Sequence, residues 1–307
     1  MSGWRRLGLL LPPPSGSTWM SGHAFLPTLH RRPEGWRMYF SGRDDAGRSR
    51  MGFADLDLGD RPAVRAVGAN PLLDLGPVGA FDDHGVSASW ITEHAGRLYL
   101  YYIGWNLGVT VPFYTAVGLA LSDDGGESFQ RVSEGPIIGR DPVDPYHVGS
   151  VCVLVEDGRW RMWYLSGCGW RTEQGRPRHY YNIRYGESAD GITWARAGRV
   201  CIDFKSSDEY AIARPCVVRE GGRYRMWYCY RGDAYRIGYA ESPDGLHWTR
   251  MDDQGLAASP TGWDSEMAAY PFVFDEGGRR YMAYNGNGYG RTGVGLAVLD
   301  EAIPAAG

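Results

Sequence analysis

The segment GRYRMWYCYRG, residues 222–232, decides the fold because close variants of it occur four more times along the chain. The variants are GWRMYFSG (35–42), GRLYLYYIG (96–104), GRWRMWYLSG (158–167) and GRRYMAYNGNG (278–288). Polar and apolar residues alternate in each copy, which is the two-residue period of a β-strand. The equivalent positions are Met38, Leu100, Met162, Met226 and Met282, spaced by 62, 62, 64 and 56 residues. The chain is therefore predicted to consist of five similar units.

Each unit holds further strand-like segments on both sides of this repeat. One precedes it and one follows it, and in three units a Ser-x-Asp-Gly turn beginning at Ser122, Ser188 or Ser242 leads into a fourth. Asp-Gly favours tight turns because glycine tolerates positive φ and Asp bonds its own backbone. Five units of four antiparallel strands predict an all-β fold, a five-bladed β-propeller formed as one domain by residues 1–307.

The N-terminus matches a segment that the last unit lacks. WRRLG, from Trp4 to Gly8, resembles the fourth-strand segments WARAG at Trp194 and WTRM at Trp248. The fifth unit runs to the end of the chain without such a segment. We expect the N-terminal strand to close the last blade, which removes an exposed sheet edge.

Composition excludes some classes of protein. The net charge of −4 argues against a nucleic-acid partner, and no apolar run approaches the roughly 20 residues of a membrane span. Five cysteines without paired spacing predict neither a disulfide framework nor a Cys-x-x-Cys zinc site. The apolar run Leu7–Leu11 is too short for a signal peptide, so we expect a cytoplasmic protein.

Acidic, imidazole and other polar groups recur where the first strand of each unit begins, mostly 15 to 17 residues before the equivalent Met or Leu. In a propeller these strand entries face one central funnel, so this ring is the predicted functional site. Its members are His23, Asp83, His84, Asp144, Tyr146, His147, Glu209, Tyr210, Arg214, Glu266 and Tyr270.

The loops after the repeated strands are expected to open on the same face. They carry the aromatic residues Trp105, Trp170, Tyr180 and Tyr289, whose ring faces suit the apolar faces of sugars. The third loop is basic, with Arg171, Arg176, Arg178 and His179, and guanidinium groups recognise carboxylates and phosphates. A small carbohydrate or an anionic sugar conjugate is thus the predicted partner. The predicted substrate-binding residues are Asp83, Tyr146, Arg214, Tyr270, Trp105 and Arg178.

Unit length, the number of units and the G-x-W/Y-x-M-W/Y-Y strands resemble the five-bladed propellers of glycoside hydrolase families 43, 32 and 68. That resemblance implies a glycosidase-like enzyme with Asp144 as the modulator of a general acid and Glu209 as that acid. It also implies a first-blade carboxylate, but none lies between Leu7 and Arg32, and His23 occupies that position. His23 could act as the base, or Asp83 or Glu266 could replace the missing carboxylate.

Two alternatives to a glycosidase stay open. The first is a metal-dependent enzyme of another class, in which His23, His84 and His147, at matching positions of three units, hold one divalent ion in the funnel. The second is a non-catalytic propeller that binds a sugar through aromatic and arginine side chains. The sequence names no cofactor beyond this possible metal ion.

Overall fold

The computed structural model describes residues 3–17, 19–59 and 61–300, and these residues form an all-β protein. The strands are β1 (Trp4–Leu11), β2 (Gly22–Arg32), β3 (Gly35–Arg43), β4 (Ser49–Asp57), β5 (Ala63–Val67), β6 (Gly85–His94), β7 (Arg97–Leu107), β8 (Phe113–Ser122), β9 (Gln130–Arg131), β10 (Val148–Glu156), β11 (Arg159–Glu173), β12 (Arg176–Ser188), β13 (Ala195–Ile202), β14 (Ala211–Glu220), β15 (Arg223–Arg231), β16 (Tyr235–Ser242), β17 (Thr249–Arg250), β18 (Ala269–Glu276), β19 (Arg279–Asn285) and β20 (Val294–Leu299). A 3-10 helix covers Asp252–Gln254, and a short helical segment, α1, covers Asn287–Gly290.

The strands pair as five antiparallel units of four, as the repeat predicts. Units one to four are β2–β5, β6–β9, β10–β13 and β14–β17, and unit five combines β18–β20 with β1. A single parallel bridge joins unit one to unit two, and another joins unit three to unit four. The first strands contact one another in cyclic order, from β2 through β6, β10, β14 and β18 back to β2.

The register between the first two strands is the same in every unit. The equivalent Met or Leu of the second strand is fully buried and faces an aliphatic residue of the first strand. The pairs are Leu29–Met38, Ile91–Leu100, Val153–Met162, Val217–Met226 and Val273–Met282. Because a slip of one residue would turn these side chains out of the core, the repeated apolar pattern fixes the register.

The N-terminal strand closes the last unit, which confirms that prediction. Strand β1 lies antiparallel to β20, from Trp4 opposite Leu299 to Leu11 opposite Val294. The buried Trp4 ring packs edge-on against Trp227 of unit four at 6.0 Å. The first described strand therefore covers an edge of β20 that would otherwise be exposed.

The Ser-x-Asp-Gly turns also connect neighbouring units. In the turn at Ser188, the Ser188 Oγ accepts the N–H of Gly191, whose φ of 75° suits glycine. The carbonyl of Gly191 accepts a hydrogen bond of 2.8 Å from Tyr101 of unit two. The Gly245 carbonyl does the same for Trp163 of unit three. Each of these turns thus holds its unit against the preceding one.

Buried cysteines are hydrogen-bond acceptors at the junctions between units. The Sγ atoms of Cys152 and Cys216 accept backbone N–H groups of Val217 and Val273 in the next unit, at 3.2 and 3.1 Å. All five cysteines are free thiols, as their spacing predicts. Burial raises the pKa of the Cys216 thiol to about 11, so this group stays protonated.

Deletion of residues 1–10 tests the closure of the last unit. The truncated chain loses most of β1 and exposes the edge of β20, so we expect aggregation and a lower melting temperature. Light scattering and thermal unfolding of the two proteins measure both effects. A truncated protein that is as soluble and as stable as the parent would contradict the closure.

Candidate functional site

A buried carboxylate at the entry of the first strand recurs in three units with the same two partners. In each, a Tyr 20 residues later donates its Oη–H to the carboxylate, and an Arg of the fourth strand donates to it as well. We call these sets the anchors, and they are Asp82–Tyr102–Arg131, Asp144–Tyr164–Arg196 and Asp264–Tyr284–Arg6. Each anchor ties the start of its unit to the unit's outermost strand.

Asp144, the predicted modulator, belongs to one of these anchors. Its side chain is 0% exposed. Its Oδ1 accepts from Ser166 at 2.6 Å and Arg184 at 3.2 Å, and its Oδ2 accepts from Tyr164 at 2.9 Å and from Arg196. Both oxygens are occupied by protein donors, so this carboxylate does not face a substrate.

Glu209, the predicted general acid, occupies the corresponding place in unit four. Arg250 donates to both of its oxygens, at 2.8 and 3.0 Å, and the backbone N–H of Lys205 donates at 2.9 Å. A general acid must carry a proton on an oxygen that faces the leaving group, and here both oxygens already accept hydrogen bonds. Glu209 and Asp144 are thus each paired with arginines of their own unit, and their roles as acid and modulator stay predictions.

Arg214, predicted to bind substrate, is instead a buried link between units. Its side chain is 1% exposed. Its Nη2 donates to the Pro27 carbonyl at 2.7 Å and to the Thr28 Oγ1 at 2.8 Å, and its Nη1 donates to the Ser89 carbonyl. These acceptors lie on the first strands of units one and two and take up the terminal guanidinium groups, so the contacts of Arg214 in this structure are with the protein itself.

The structure does not bring together the three histidines of the predicted metal site. Throughout the described part of the chain, no group of three His, Cys, Asp or Glu side chains is placed to hold a metal ion. The His84 ring packs on Trp105 at 4.7 Å, and His23 lies by Phe25 at 6.3 Å. His147 is enclosed by rings of units two and three. The three histidines occupy equivalent positions in the sequence, but each has different neighbours in the structure.

His147 lies in an aromatic cluster under the β11–β12 hairpin, the longest hairpin of the protein. Its ring is 1% exposed and contacts Phe113, Trp170 and Tyr181, and His179 stacks on Tyr181 at 4.8 Å. Burial, and then the neighbouring His179, lower the pKa of His147 to about 3. Burial, and then two arginines, lower the pKa of His179 to about 4. Both imidazoles are therefore neutral at pH 7.

A polar cleft of about 590 Å³ opens between units three and four, beside this cluster. The hairpin contributes Glu173, Arg178 and Tyr180. Unit four contributes Asp208, Tyr210, Arg231 and Asp233. The Arg178 guanidinium lies 4.7 Å over the Tyr210 ring and pairs with Glu173 at 2.5 Å. The cleft thus combines aromatic faces with groups of both charges.

The other predicted residues lie in different surroundings. Asp83 accepts the N–H of Gly79 at 3.0 Å and so caps a turn. Trp105 donates to the Ser49 Oγ at 2.8 Å and is half-buried. Two more of the predicted residues, Tyr146 and Glu266, are exposed. Tyr270 lies on a bulge of β18 with a φ of 57°, where its N–H contacts the Cys229 Sγ at 2.8 Å.

Several residues of the anchors and the cleft are absent from the set predicted from sequence. Asp82 and Asp264 are two of them, although the spacing of 20 residues to a tyrosine recurs with Asp144 and is a signal for the anchors. Arg231, Asp208 and Asp233 of the cleft are three more. Asp208 and Asp233 lie in segments that differ between units, and Arg231 shares its position in the repeat only with Arg43 of unit one.

Asp144→Asn tests the anchor of unit three. The change leaves Arg184 and Arg196 next to a neutral amide, and loss of one partner of a buried ion pair costs about 3–5 kcal/mol of stability. Urea unfolding of the parent and the variant measures the difference. Asp83→Asn, which removes a single half-buried cap, is the matched control and is expected to cost less than about 1 kcal/mol. A variant at Asp144 with parental stability would contradict the anchoring role.

The buried histidines predict a loss of stability in mild acid. Their folded-state pKa values lie below the usual 6.5, so the unfolded chain binds protons first. The stabilisation is complete above about pH 6.5 and falls as the pH drops towards 4. His147→Phe should flatten melting temperature against pH over this window, whereas His247→Gln, at an exposed side chain, should follow the parent. Parallel curves for the parent and His147→Phe would contradict this assignment.

Solved structures with this fold include glycoside hydrolases from several sources. A glycosyl hydrolase from Bacteroides ovatus has a TM-score of 0.75 and 14% identity and aligns over 99% of this chain and 95% of its own. A thermostable family-43 glycoside hydrolase has a TM-score of 0.67 and 16% identity, over 92% and 89%. A structure from the GH130 family of mannoside phosphorylases, a family said to contain glycoside hydrolases, has a TM-score of 0.72 and 15% identity, over 99% and 96%. At these identities the likeness concerns the fold, and it confirms the resemblance to glycoside hydrolase propellers.

Relatives by sequence exist in Mycobacterium tuberculosis. Uncharacterized protein MT1551 of strain CDC 1551 / Oshkosh is 45% identical over 301 residues, which are 97% of this chain and 99% of the relative. Uncharacterized protein Rv1502 of strain ATCC 25618 / H37Rv is 44% identical over the same lengths.

No protein-family model matches the chain. None of the helices in the described residues has the length and apolar character needed to cross a membrane. By its identity over nearly the full length of both relatives, the chain belongs to the family of these two mycobacterial proteins, and its fold is that of the glycoside hydrolase propellers.

Proposed function

We propose that this protein is a glycosidase-like enzyme that acts on a carbohydrate at the face where the first strands begin. The five units would be the blades of one closed five-bladed propeller that comprises residues 1–307. The cyclic contacts between first strands, the pairing of β1 with β20 and the glycoside hydrolase fold support this architecture. The sugar would lie in the cleft between units three and four.

The composition of the cleft is the observation that carries this proposal. Tyr180 and Tyr210 line the cleft with aromatic rings, and Arg178 and Glu173 add donors and acceptors for hydroxyl groups. Carbohydrate sites combine such rings with a few well-placed polar groups. Arg178 is held by Tyr210 on one side and by Glu173 on the other, so this part of the cleft is preorganised.

Asp208 and Asp233 are the carboxylates that we propose for catalysis. Both line the cleft, and neither forms an ion pair with another described residue, in contrast to Glu209 and Asp144. Hydrolysis of a glycosidic bond generally needs two such groups. One protonates the oxygen of the leaving sugar as the C–O bond breaks. The other assists the attack of water on the anomeric carbon or attacks it directly.

A non-catalytic sugar-binding propeller is the second candidate. It is favoured by the arginine pairing of Glu209 and the protein donors around Asp144, which leave neither carboxylate free for the role that the resemblance implies. His23, which stands where the resemblance implies a first-blade carboxylate, also favours the non-catalytic candidate. The same cleft would then bind a glycan without cleaving it.

A panel of nitrophenyl glycosides, followed by kinetics of variants on the best substrate, tests the proposal. Asp208→Asn and Asp233→Asn should each lower kcat by about 10² to 10⁴-fold, because general acid–base groups contribute that much. Their melting temperatures should stay parental, since both side chains are exposed. Glu209→Gln is the matched control: it should lower the melting temperature and keep the turnover of each folded molecule.

Two outcomes would change the assignment. Parental kcat in both aspartate variants would remove the cleft from the mechanism. A reversed result for Glu209→Gln, with lost turnover and unchanged stability, would restore the general acid that the resemblance implies. Sugar binding in calorimetry without hydrolysis of any glycoside would favour the non-catalytic candidate.

A further inference from the structure

Three arginines at the entry of the first strands lack the carboxylate partners that most other arginines of this protein have. Arg43, Arg231 and Arg291 form no ion pair with any described residue. The Nε atoms of Arg43 and Arg231 are buried and have no hydrogen-bond partner there. A buried donor without an acceptor costs stability, so these unsatisfied groups call for an explanation.

Arg43 and Arg291 approach His23 from two different units. Arg43 ends β3 directly opposite Gly22, the neighbour of His23, and its guanidinium lies 5.4 Å from the Phe25 ring. Arg291 follows α1 of unit five. That segment packs on β2 so closely that a Cβ at Gly290 would lie 2.5 Å from the Ala24 carbonyl oxygen. Burial, and then Arg43 and Arg291, lower the pKa of His23, so the imidazole is a neutral hydrogen-bonding group.

Arg231 joins this group through a tyrosine. Its Nη1 donates to the Oη of Tyr289, two residues before Arg291, and its guanidinium lies 5.7 Å from the Tyr289 ring. Arg231 also lines the proposed sugar cleft. The three arginines thus extend from the cleft to His23 across units four, five and one.

The carboxylates nearest to Arg43 in the sequence are engaged elsewhere. Asp44 pairs with Arg48 at 2.9 Å and with Arg50 at 2.8 Å. Asp45 accepts from the Ser21 Oγ at 2.5 Å. Neither carboxylate forms an ion pair with Arg43, and a bound anion would supply that partner.

We infer that Arg43 and Arg291, with His23, bind the phosphoryl group of a sugar phosphate whose sugar extends past Arg231 into the adjacent cleft. A phosphate monoester brings close to two negative charges and three acceptor oxygens, which match two guanidinium groups and an imidazole better than the single charge of a uronic acid does. The inference rests on the proposed function for the sugar, and the phosphate subsite itself is a separate set of residues.

Isothermal titration calorimetry with five probes tests the subsite: a hexose 1-phosphate, a hexose 6-phosphate, the free hexose, a hexuronic acid and inorganic phosphate. We expect at least one hexose phosphate to bind at least about tenfold more tightly than the hexose, since hydrogen bonds to charged groups contribute that much. Hexose phosphates that bind no more tightly than the hexose, or less tightly than hexuronic acid, would overturn the subsite and leave the proposed function standing. If inorganic phosphate binds at these arginines but no sugar does, the result would support the phosphate subsite and contradict the proposal that the cleft binds a sugar.

Arg43→Gln and Arg291→Gln assign the binding to these residues. Each should raise the Kd of the hexose phosphate by about tenfold or more and leave the Kd of the free hexose unchanged. Arg279→Gln is the matched control, because it removes one exposed positive charge at the β18–β19 turn, at the opposite end of unit five, and should keep the parental Kd. Equal Kd values for the hexose phosphate in Arg43→Gln, Arg291→Gln and Arg279→Gln would overturn the inference, and parental melting temperatures would show that the variants are folded.

Discussion

The arrangement of the five units depends on the buried guanidinium of Arg214. A charge that is 1% exposed and has no carboxylate partner is tolerated only where hydrogen-bond acceptors surround it. Those acceptors, at Pro27, Thr28 and Ser89, lie on the first strands of units one and two, whereas Arg214 lies on that of unit four. Burial still lowers the pKa of Arg214 to about 10, so the charge persists at neutral pH. Units that are distant in sequence must therefore meet at one place for this residue to be satisfied.

The backbone supports this meeting point with bulges. Arg214 has a φ of 54°, and Leu26 and Tyr270, at equivalent positions of units one and five, have φ values of 56° and 57°. Each is followed by a proline, which lacks an N–H and therefore suits a break in the strand pairing. The N–H of Leu26 bonds to Asn285 of the preceding unit at 2.9 Å. The same irregularity that interrupts pairing within a unit thus creates a bond between units.

The sequence predicts the strands and their register more directly than it predicts the role of a polar side chain, and the reason is physical. The strands and their register follow from the alternation around Met162 and its equivalents, because burial acts on each unit in the same way. The role of a carboxylate depends on which donor reaches it. Asp144 and Glu209 are bound by Arg196 and Arg250, 52 and 41 residues later in the sequence. A position at the entry of the first strand is therefore compatible with a catalytic acid and with a structural anchor alike.

Comparison between units separates these two roles. A carboxylate that meets the same tyrosine and arginine in several units, as Asp82, Asp144 and Asp264 do, is explained by the architecture common to them. Arg43 and Arg231 have no carboxylate partner among the described residues, and no anchor accounts for the buried Nε atom of either. Local violations of satisfied bonding are expected at functional sites. The arginines without ion pairs, rather than the repeated anchors, thus support the proposed position of the ligand.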